Sequence, residues 1–358
     1  MALSVHWFLP TGGDGREVAG FGAGSGGRAP DLDYLSLVAG AAERAGFDAV
    51  LTPTGTWCED AWLATAALLR DTSRLRFLVA FRPGFVSPTL AAQQAATFQR
   101  LSGGRLLLNV VTGGRADEQQ RFGDWSEKDE RYERTAEFLT VLRGAWSGVP
   151  FDFTGRHYRV AGATISGELE PTPEIFFGGS SDAGKRVAAE HADVWLMWGE
   201  PPDAAREQLD DVRARAAAAG RALRFGIRLH VIARPTADAA WAHADRLLDA
   251  MPPELVTEAL GRLAREESEG QRRMLALHGG RREDLVIAPN LWAGFGLVRS
   301  GAGTALVGSY DEVAERIAEY HDLGFDHVIL SGQPHLEEAW EVGEGVLPLL
   351  ARGGLLAG

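Results

Sequence analysis

Short apolar runs alternate with longer helix-like segments along this chain, and this alternation constrains the fold more than any other feature. Eight runs recur: Val5–Leu9, Ala49–Thr52, Leu75–Phe81, Arg105–Val111, Glu174–Phe177, Val194–Trp198, Arg224–Ile232 and His327–Leu330. Strands that alternate with helices form a parallel sheet covered by helices, and the runs lack the polar alternation of a half-exposed strand. We therefore predict an α/β fold, a (β/α)8 TIM barrel with insertion segments.

Three segments interrupt this rhythm without dividing the chain, so we predict a single domain over residues 1–358. Residues 12–30 are rich in glycine and are expected to form a mobile loop. Residues 147–172 contain two strand-like pieces outside the barrel, Phe151–Phe153 and His157–Val160. Residues 252–305 form the largest insertion, which ends in a glycine-rich stretch. Long insertions after barrel strands commonly act as lids, and we predict that role for this one.

Composition and charge exclude several classes of function. The net charge of −13 disfavours a nucleic-acid partner, because binding to phosphates requires a basic surface. The single cysteine, Cys58, excludes an internal disulfide and favours a reducing compartment. The start of the chain has no signal-peptide pattern, and no apolar run is long enough to cross a bilayer. We expect a cytoplasmic protein with no membrane partner.

Polar residues follow nearly every predicted strand, and a (β/α)8 barrel builds its active site at these strand ends. Arg228 and His230 lie two residues apart on one strand, so their side chains share a face. Burial of an unpaired arginine against the outer helices would be very costly, which favours the barrel mouth. Arg299, in the glycine-rich end of the insertion, can reach the same mouth. These residues predict an anion site, and structural ion pairs with acidic residues are the alternative.

A second anion site is predicted where Gly178, Gly179, Ser180 and Ser181 follow a strand and open a helix. Backbone N–H groups, two hydroxyls and the positive end of the helix dipole together suit a phosphate. The alternative is a plain turn in which a serine caps the helix. The late position of this turn in the barrel favours the phosphate, because barrel enzymes commonly bind phosphate there.

Other candidate residues are less specific. Cys58 follows a strand and is either a nucleophile with a lowered pKa or a small packing group. Trp198 is either core or a wall of the pocket. Glu59, Asp60 and Glu200 are the only candidates for the paired carboxylates that a glycosidase needs, and Glu59 and Asp60 more readily begin a helix. No spacing typical of metal ligands is present, so we predict no metal site.

Ten stretches together resemble a known family, in its order and from residue 7 to near residue 350. They are WFLPTGGDG, PTGTWCEDAW, SPTLAAQQAAT, NVVTGG, RYERTAEF, FFGGSSDAG, WGEPP, RFGIRLHVIARP, PNLWAGFGLVRSGAGTALVG and LSGQPHLEEA. The chain closely resembles the FMNH2-dependent alkanesulfonate monooxygenases of the bacterial luciferase-like family. The resemblance implies that reduced FMN, supplied by a separate NAD(P)H-dependent FMN reductase, and O2 oxidise a small organosulfonate to an aldehyde and sulfite. It also implies a homodimer or homotetramer.

The resemblance implies roles for individual residues as well. A sulfonate and flavin-oxygen pocket would contain Arg228, His230, Arg299 and Trp198, with Cys58 near the flavin. The implied FMN contacts are Asn109, Thr112, Tyr132, Gly179, Ser180 and Ser181.

Two positions depart from the family pattern. Gln333 stands at the end of the last strand where the family usually has a tyrosine, and Gly12 stands where it usually has a histidine. Glutamine donates a hydrogen bond but has no usable acid function. We therefore expect a different or bulkier sulfonate, or another organosulfur or anionic substrate, with Gln333 tuning specificity. An F420-dependent oxidoreductase of the same fold and a non-catalytic flavin-binding protein remain alternatives.

Overall fold

A parallel barrel of eight strands forms the centre of the molecule. The computed structural model describes residues 2–18 and 27–356. The strands are β1 (Ser4–Phe8), β2 (Ala49–Thr52), β3 (Arg76–Phe81), β4 (Leu106–Val110), β5 (Glu174–Gly178), β6 (Val194–Trp198), β7 (Arg224–Arg234) and β8 (His327–Ser331). Each strand pairs in parallel with the next, and β8 pairs with β1. This closure confirms the predicted (β/α)8 barrel.

The two faces of each strand are buried in different cores. Side chains that alternate along the strands fill the barrel interior, including Leu51, Leu78, Leu107, Phe176 and Ile329. The intervening residues face the helices and belong to the main core between sheet and helices. Because successive side chains of a strand point to opposite faces, a continuous apolar run supplies both cores. The interior of the barrel is therefore packed with side chains.

Helices cover the outside of the barrel. They are α1 (Leu32–Ala45), α2 (Ala61–Ala67), α3 (Pro88–Ser102), α4 (Ala116–Arg121), α5 (Lys128–Trp146), α6 (Asp182–His191), α7 (Pro202–Ala218), α8 (Ala237–Asp249), α9 (Pro253–Leu263), α10 (Glu269–Ala276), α11 (Tyr310–Leu323), α12 (His335–Gly345) and α13 (Leu347–Arg352). Ser309 is the N-cap of α11 and forms a reciprocal capping box with Glu312. Pro202 opens α7, and Gly46 ends α1 in the left-handed conformation that glycine tolerates best.

The excursion after α5 is an antiparallel hairpin outside the barrel, formed by Phe151–Thr154 and Arg159–Ala163. The second strand begins two residues later than predicted. The carboxylate of Glu137 accepts hydrogen bonds from the backbone N–H groups of Arg156, His157 and Tyr158. Because of these bonds, residues 156–158 form the turn of the hairpin, and the second strand begins after them.

The insertion over residues 252–305 contains α9, α10 and two short antiparallel strands, Val286–Ala288 and Leu291–Trp292. The strand Ala305–Ser309 joins these two to the outer half of β7. The predicted mobile loop over residues 12–30 falls partly on residues 19–26, which lie outside the described residues. Its described ends pair with each other through backbone hydrogen bonds between Asp14 and Arg28. Within the described residues, no helix is both long and apolar enough to cross a membrane.

Candidate active site

A cavity of about 660 Å³ opens where the barrel strands end at their carboxyl termini. This volume falls in the range of roughly 300–1,000 Å³ that is typical of cofactor and substrate sites. Ten predicted site residues line it: Arg228, His230, Arg299, Trp198, Asn109, Thr112, Tyr132, Gly179, Ser180 and Ser181. The two other predicted site residues, Cys58 and Gln333, lie outside the lining. The insertion contributes to the wall through residues 262–270 and 298–302.

Arg228 presents a cation to this cavity. Its guanidinium donates hydrogen bonds to the carbonyl of Leu229 at 2.5 Å and to Oγ of Ser331 at 2.8 Å, and it lies 5.0 Å from the ring centroid of Phe8. Among the described residues, no carboxylate lies within ion-pair distance of Arg228. Burial lowers the pKa of Arg228 to about 9, because desolvation disfavours the charged form. A negatively charged ligand would supply the missing countercharge, so Arg228 fits the predicted anion site.

His230 has both ring nitrogens bonded inside the protein. Nε2 lies 3.0 Å from the carbonyl of Ala302, and Nδ1 lies 2.7 Å from Oγ of Ser331. A carbonyl can only accept, so Nε2 carries the proton, and Ser331 donates to Nδ1. Burial, and then the charges of Arg228 and Arg299, hold the pKa of His230 well below its usual range. The neutral ring therefore links β8 to the Ala302 loop, with no free nitrogen for a ligand.

Arg299, which lines the cavity, forms one hydrogen-bonded unit with the buried Gln333. Arg299 donates to Oε1 of Gln333 and, from Nε at 3.3 Å, to the carbonyl of Val18. Gln333 in turn donates from Nε2 to the carbonyl of Glu17 at 3.0 Å. Gln333 thus contacts Arg299 and the first loop, and any effect it has on specificity acts through them.

A buried acid–histidine pair completes this side of the cavity and was missed by the sequence analysis. Nδ1 of His335 donates to Oδ1 of Asp14 at 2.8 Å, and the backbone N–H of His335 donates to Oδ2 at 2.7 Å. Tyr34 also donates to Oδ2. His335 lines the cavity, and its Nε2 makes no hydrogen bond within the described part of the chain. His335 comes just after β8, so the rule that polar residues gather at strand ends would have found it.

The pKa values of this pair are set by burial and by their mutual hydrogen bond. Burial lowers the pKa of His335, and the opposing hydrogen bond and charge of Asp14 do not fully offset it. Burial also disfavours ionised Asp14, but the hydrogen bonds from His335 and Tyr34 outweigh it and keep the pKa of Asp14 below its usual value. The resting pair is therefore a neutral imidazole held by a carboxylate.

The opposite side of the cavity is built around the N-terminus of α6. Ser181 caps this helix, its Oγ accepting from the N–H of Gly184 at 3.2 Å, which is the contact that the alternative interpretation of this turn expected. Gly179 and Gly184 approach so closely that a Cβ on Gly179 would lie 3.2 Å from Cα of Gly184. The hydroxyls of Tyr132 and Ser180 line the cavity and make no hydrogen bond within the described part of the chain. Free hydroxyls beside a helix N-terminus suit a phosphate.

The donor set here fits FMN, whose phosphate would lie against Tyr132, Ser180 and the start of α6. Asn109 on β4 and Thr112 just after it line the cavity beside this site. They offer an amide and a hydroxyl to the flavin portion of such a cofactor.

Cys58 lies behind the wall as a protonated thiol. Its Sγ donates weakly to the carbonyls of Pro53 and Gly55, at 3.7 Å and 3.6 Å. Burial raises the pKa of the Cys58 thiol to about 11. A nucleophilic cysteine requires a lowered pKa, so this environment favours the packing interpretation of Cys58.

Two of the three carboxylate candidates, Asp60 and Glu200, have structural contacts. Asp60 caps α2, with its Oδ1 accepting from the N–H of Leu63. Glu200 is buried and accepts from Arg273 and from Gln208. These contacts give neither carboxylate a free position in the cavity.

Comparison with known proteins identifies the family. A family model described as luciferase-like monooxygenase matches residues 3–327, and the chain belongs to this family. Similar solved structures include a riboflavin lyase (22% identity, TM-score 0.84), covering 100% of this chain and 93% of that chain. A second is EDTA monooxygenase from Chelativorans sp. BNC1 (22% identity, TM-score 0.78), and this match covers 100% of this chain and 95% of that chain. A third is DmoA from Hyphomicrobium sulfonivorans (22% identity, TM-score 0.81), and this match covers 100% of this chain and 90% of that chain.

Structures of this fold differ in cofactor. The riboflavin lyase structure is described with a modified FMN. An F420-dependent secondary alcohol dehydrogenase shares the fold at 17% identity and a TM-score of 0.70, covering 97% of this chain and 98% of that chain. At these identities the likeness establishes the fold, and the choice of cofactor depends on the residues of the cavity.

Proposed function

We propose that this protein is a two-component monooxygenase that uses reduced FMN and O2 to cleave an organosulfonate. In the overall reaction, RCH2SO3⁻, FMNH2 and O2 give RCHO, HSO3⁻, FMN and water. The carbon–sulfur bond breaks, one oxygen atom enters the aldehyde and the other leaves as water. The observation that carries the proposal is Arg228, a buried cation without a carboxylate partner among the described residues, in the same cavity as a phosphate-type site.

FMN would be held by Tyr132, Ser180, Ser181 and Gly179 at its phosphate and by Asn109 and Thr112 nearer the flavin. When bound, reduced FMN supplies the two electrons that activate O2. A separate NAD(P)H-dependent reductase would provide it, and the assembly would be a homodimer or homotetramer.

The substrate sulfonate would bind Arg228, because a guanidinium matches the oxygens of a sulfonate with paired N–H donors. Arg299 adds a second guanidinium to the cavity lining, and Trp198 forms part of the wall. In the insertion, Gly270 packs against the Trp198 ring so closely that a Cβ there would lie 2.9 Å from Cζ3. This cover would keep bulk water away from the reacting groups.

Formation of the aldehyde requires loss of a proton from the carbon that bears the sulfonate. His335 is the imidazole with a free nitrogen in the cavity, and Asp14 fixes its tautomer so that Nε2 is the acceptor. We assign the role of proton acceptor to Nε2 of His335. Asp14 orients the ring and stabilises the imidazolium that forms.

A sulfite-release assay tests the proposal. The chain is supplied with FMN, NADH, a flavin reductase and a series of sulfonates, in air and under nitrogen. We expect sulfite only in air, and loss of at least a hundredfold in kcat/KM for Arg228→Met, since removal of a charge-assisted bond costs about 3 kcal/mol. Arg44→Met, on the exposed face of α1, is the matched control.

Two outcomes would contradict the proposal. Reduction of F420 by an alcohol, with no sulfite in air, would identify a hydride-transfer enzyme of this fold. Tight FMN binding without product from any sulfonate would identify a non-catalytic flavin protein.

A further inference from the structure

Two glycines create the site of Trp57 at the edge of the cavity. A Cβ on Gly12 would lie 2.7 Å from Cε3 of the indole, and a Cβ on Gly55 would lie 2.7 Å from Cδ1. Real side chains do not approach so closely, so the indole occupies space that any other residue at either position would need.

The Trp57 side chain is available to a ligand. It lines the cavity, and 53% of its surface is exposed. Burial of this indole surface by an apolar group of a ligand would be favourable, because it removes apolar surface from water. Trp125 is more exposed, at 74%, but it lies outside the cavity lining.

An apolar wall connects Trp57 to the anion site. Phe8, which packs against the Arg228 guanidinium, is the register partner of Leu51 on the neighbouring strand. Pro10 and Pro53 follow these two residues along β1 and β2, and all four line the cavity. The two chain segments then meet again where Gly12 contacts Trp57. The wall therefore runs from the anion site to the rim without a charged side chain on either segment.

We propose that this wall is a subsite for a bulky apolar group, preferably aromatic, at the end of the substrate remote from its sulfonate. The inference rests on the proposed function and narrows its substrate class to arylalkyl and long alkyl sulfonates. The anion on Arg228 sets the position of the reacting carbon, and Trp57 binds the far end by stacking. Short alkyl sulfonates reach only the anion site.

Isothermal titration tests the subsite directly, with 3-phenylpropane-1-sulfonate and methanesulfonate as probes, with and without oxidised FMN. For Trp57→Ser we expect affinity for the phenyl probe to fall about tenfold and affinity for methanesulfonate to stay within twofold. Trp57→Phe retains most of the preference because it keeps an aromatic face. Trp125→Ser, which removes an exposed tryptophan outside the cavity, leaves both affinities unchanged. Gly12→Ala displaces the indole and resembles Trp57→Ser.

Two results would contradict the proposed subsite. If Trp57→Ser weakens FMN binding and both probes equally, Trp57 supports the flavin and the subsite is wrong. Equal affinity of the unmodified chain for the two probes also overturns it. The proposed function fails separately: Trp57-dependent binding of the phenyl probe without sulfite release keeps the subsite and rejects sulfonate cleavage. Thermal unfolding of each variant confirms that it is folded.

Discussion

His230 and His335 line the same cavity, and their hydrogen bonds give the two imidazoles different chemical capacities. Both nitrogens of His230 are bonded within the protein, so the ring acts as a rigid link between β8 and the loop at Ala302. In His335, Nδ1 is bonded to Asp14 and Nε2 has no partner among residues 2–18 and 27–356, so Nε2 retains a lone pair toward the cavity. A catalytic base needs a free, oriented nitrogen, and only the second arrangement provides it.

The pH dependence of turnover should report His335. Its folded pKa is lowered from 6.5, so the neutral, proton-accepting form persists below pH 6.5. We expect kcat/KM to be flat above pH 6.5 and to fall on the acid side of that value. His335→Gln should lower kcat by about a hundredfold or more and remove this acid limb, since general-base catalysis contributes about 10²–10⁴. A retained acid limb in His335→Gln would assign the titration to another group.

Two variants of Gln333 test whether its hydrogen bonds to Arg299 and to the Glu17 carbonyl hold Arg299 in position. Gln333→Met removes both the bond to Arg299 and the bond to the Glu17 carbonyl. Gln333→Glu keeps an acceptor for Arg299 and loses only the donor. We expect the sulfonate KM to rise about tenfold in Gln333→Met, with a smaller rise in Gln333→Glu, because a hydrogen bond to a charged group contributes about 1.5–3 kcal/mol.

Steady-state kinetics with a saturating supply of reduced FMN separates these variants. An unchanged KM in Gln333→Met would show that Arg299 holds its position without Gln333. A fall in kcat alone would point to a direct role of Gln333 in the reaction.

Local rules predicted some of this site, and contacts between distant residues supplied the rest. The two-residue spacing of Arg228 and His230 placed both on one face of the strand, and the cost of burying an unpaired arginine against the helices favoured the mouth. The bond between Arg299 and Gln333 spans 34 residues, and that between Asp14 and His335 spans 321. No periodicity relates such positions, so their pairing required the closed barrel to bring the first and last strands together.

At the scale of elements, α10 makes one contact with the barrel and one within the insertion. Arg273 donates to the buried carboxylate of Glu200, which follows β6. Gln271 accepts from the N–H of Gly301 at 3.0 Å, which ties the helix to the loop that carries Arg299. This helix therefore sets the position of the cover and of Arg299 together.

Breaking the ion pair between Arg273 and Glu200 should loosen the packing of the insertion over the cavity. It changes no residue that lines the cavity. Arg273→Met leaves Glu200 buried with Gln208 as its remaining side-chain partner, and we expect destabilisation of about 3 kcal/mol. A looser cover admits water, so a larger share of the oxygen consumed should appear as H2O2. The double variant Glu200→Gln/Arg273→Met removes the unpaired charge and should recover most of the stability.

Urea unfolding and the ratio of H2O2 to sulfite measure the two effects. If the ratio is unchanged in Arg273→Met while stability falls, the ion pair supports the fold alone.

At the scale of the whole molecule, the closed end of the barrel contains a buried histidine pair. Nε2 of His6 lies 3.0 Å from Nδ1 of His327, and no described residue forms a hydrogen bond with the outer nitrogen of either ring. Burial, with smaller effects of Arg76, Arg224 and the neighbouring ring, lowers the pKa of His6 to about 3 and that of His327 to about 2. Both histidines are therefore neutral in the folded protein.

This pair should make the fold sensitive to acid. The unfolded chain binds protons at these histidines below pH 6.5, and the folded chain does not until its much lower pKa values are reached. Stability is thus complete above pH 6.5 and falls as pH drops, by about 1.4 kcal/mol per pH unit for each histidine. We expect His6→Phe/His327→Leu to flatten this dependence between pH 6.5 and 4.

Urea unfolding across this pH range provides the measurement, with values at pH 8 as the baseline for packing changes. Parallel curves for the unmodified chain and the double variant would contradict the assignment.

The backbone pairing of Asp14 with Arg28 has a consequence for protein engineering. Two backbone hydrogen bonds join Asp14 and Arg28, one in each direction. The guanidinium of Arg28 also donates to the hydroxyl of Tyr34 and to the carboxylate of Glu337. The pairing therefore fixes the backbone of Asp14, while His335 and Tyr34 hold its carboxylate. An engineered change of sequence near this point should keep Asp14, Arg28 and the backbone of Glu17 and Val18, whose carbonyls accept from Gln333 and Arg299.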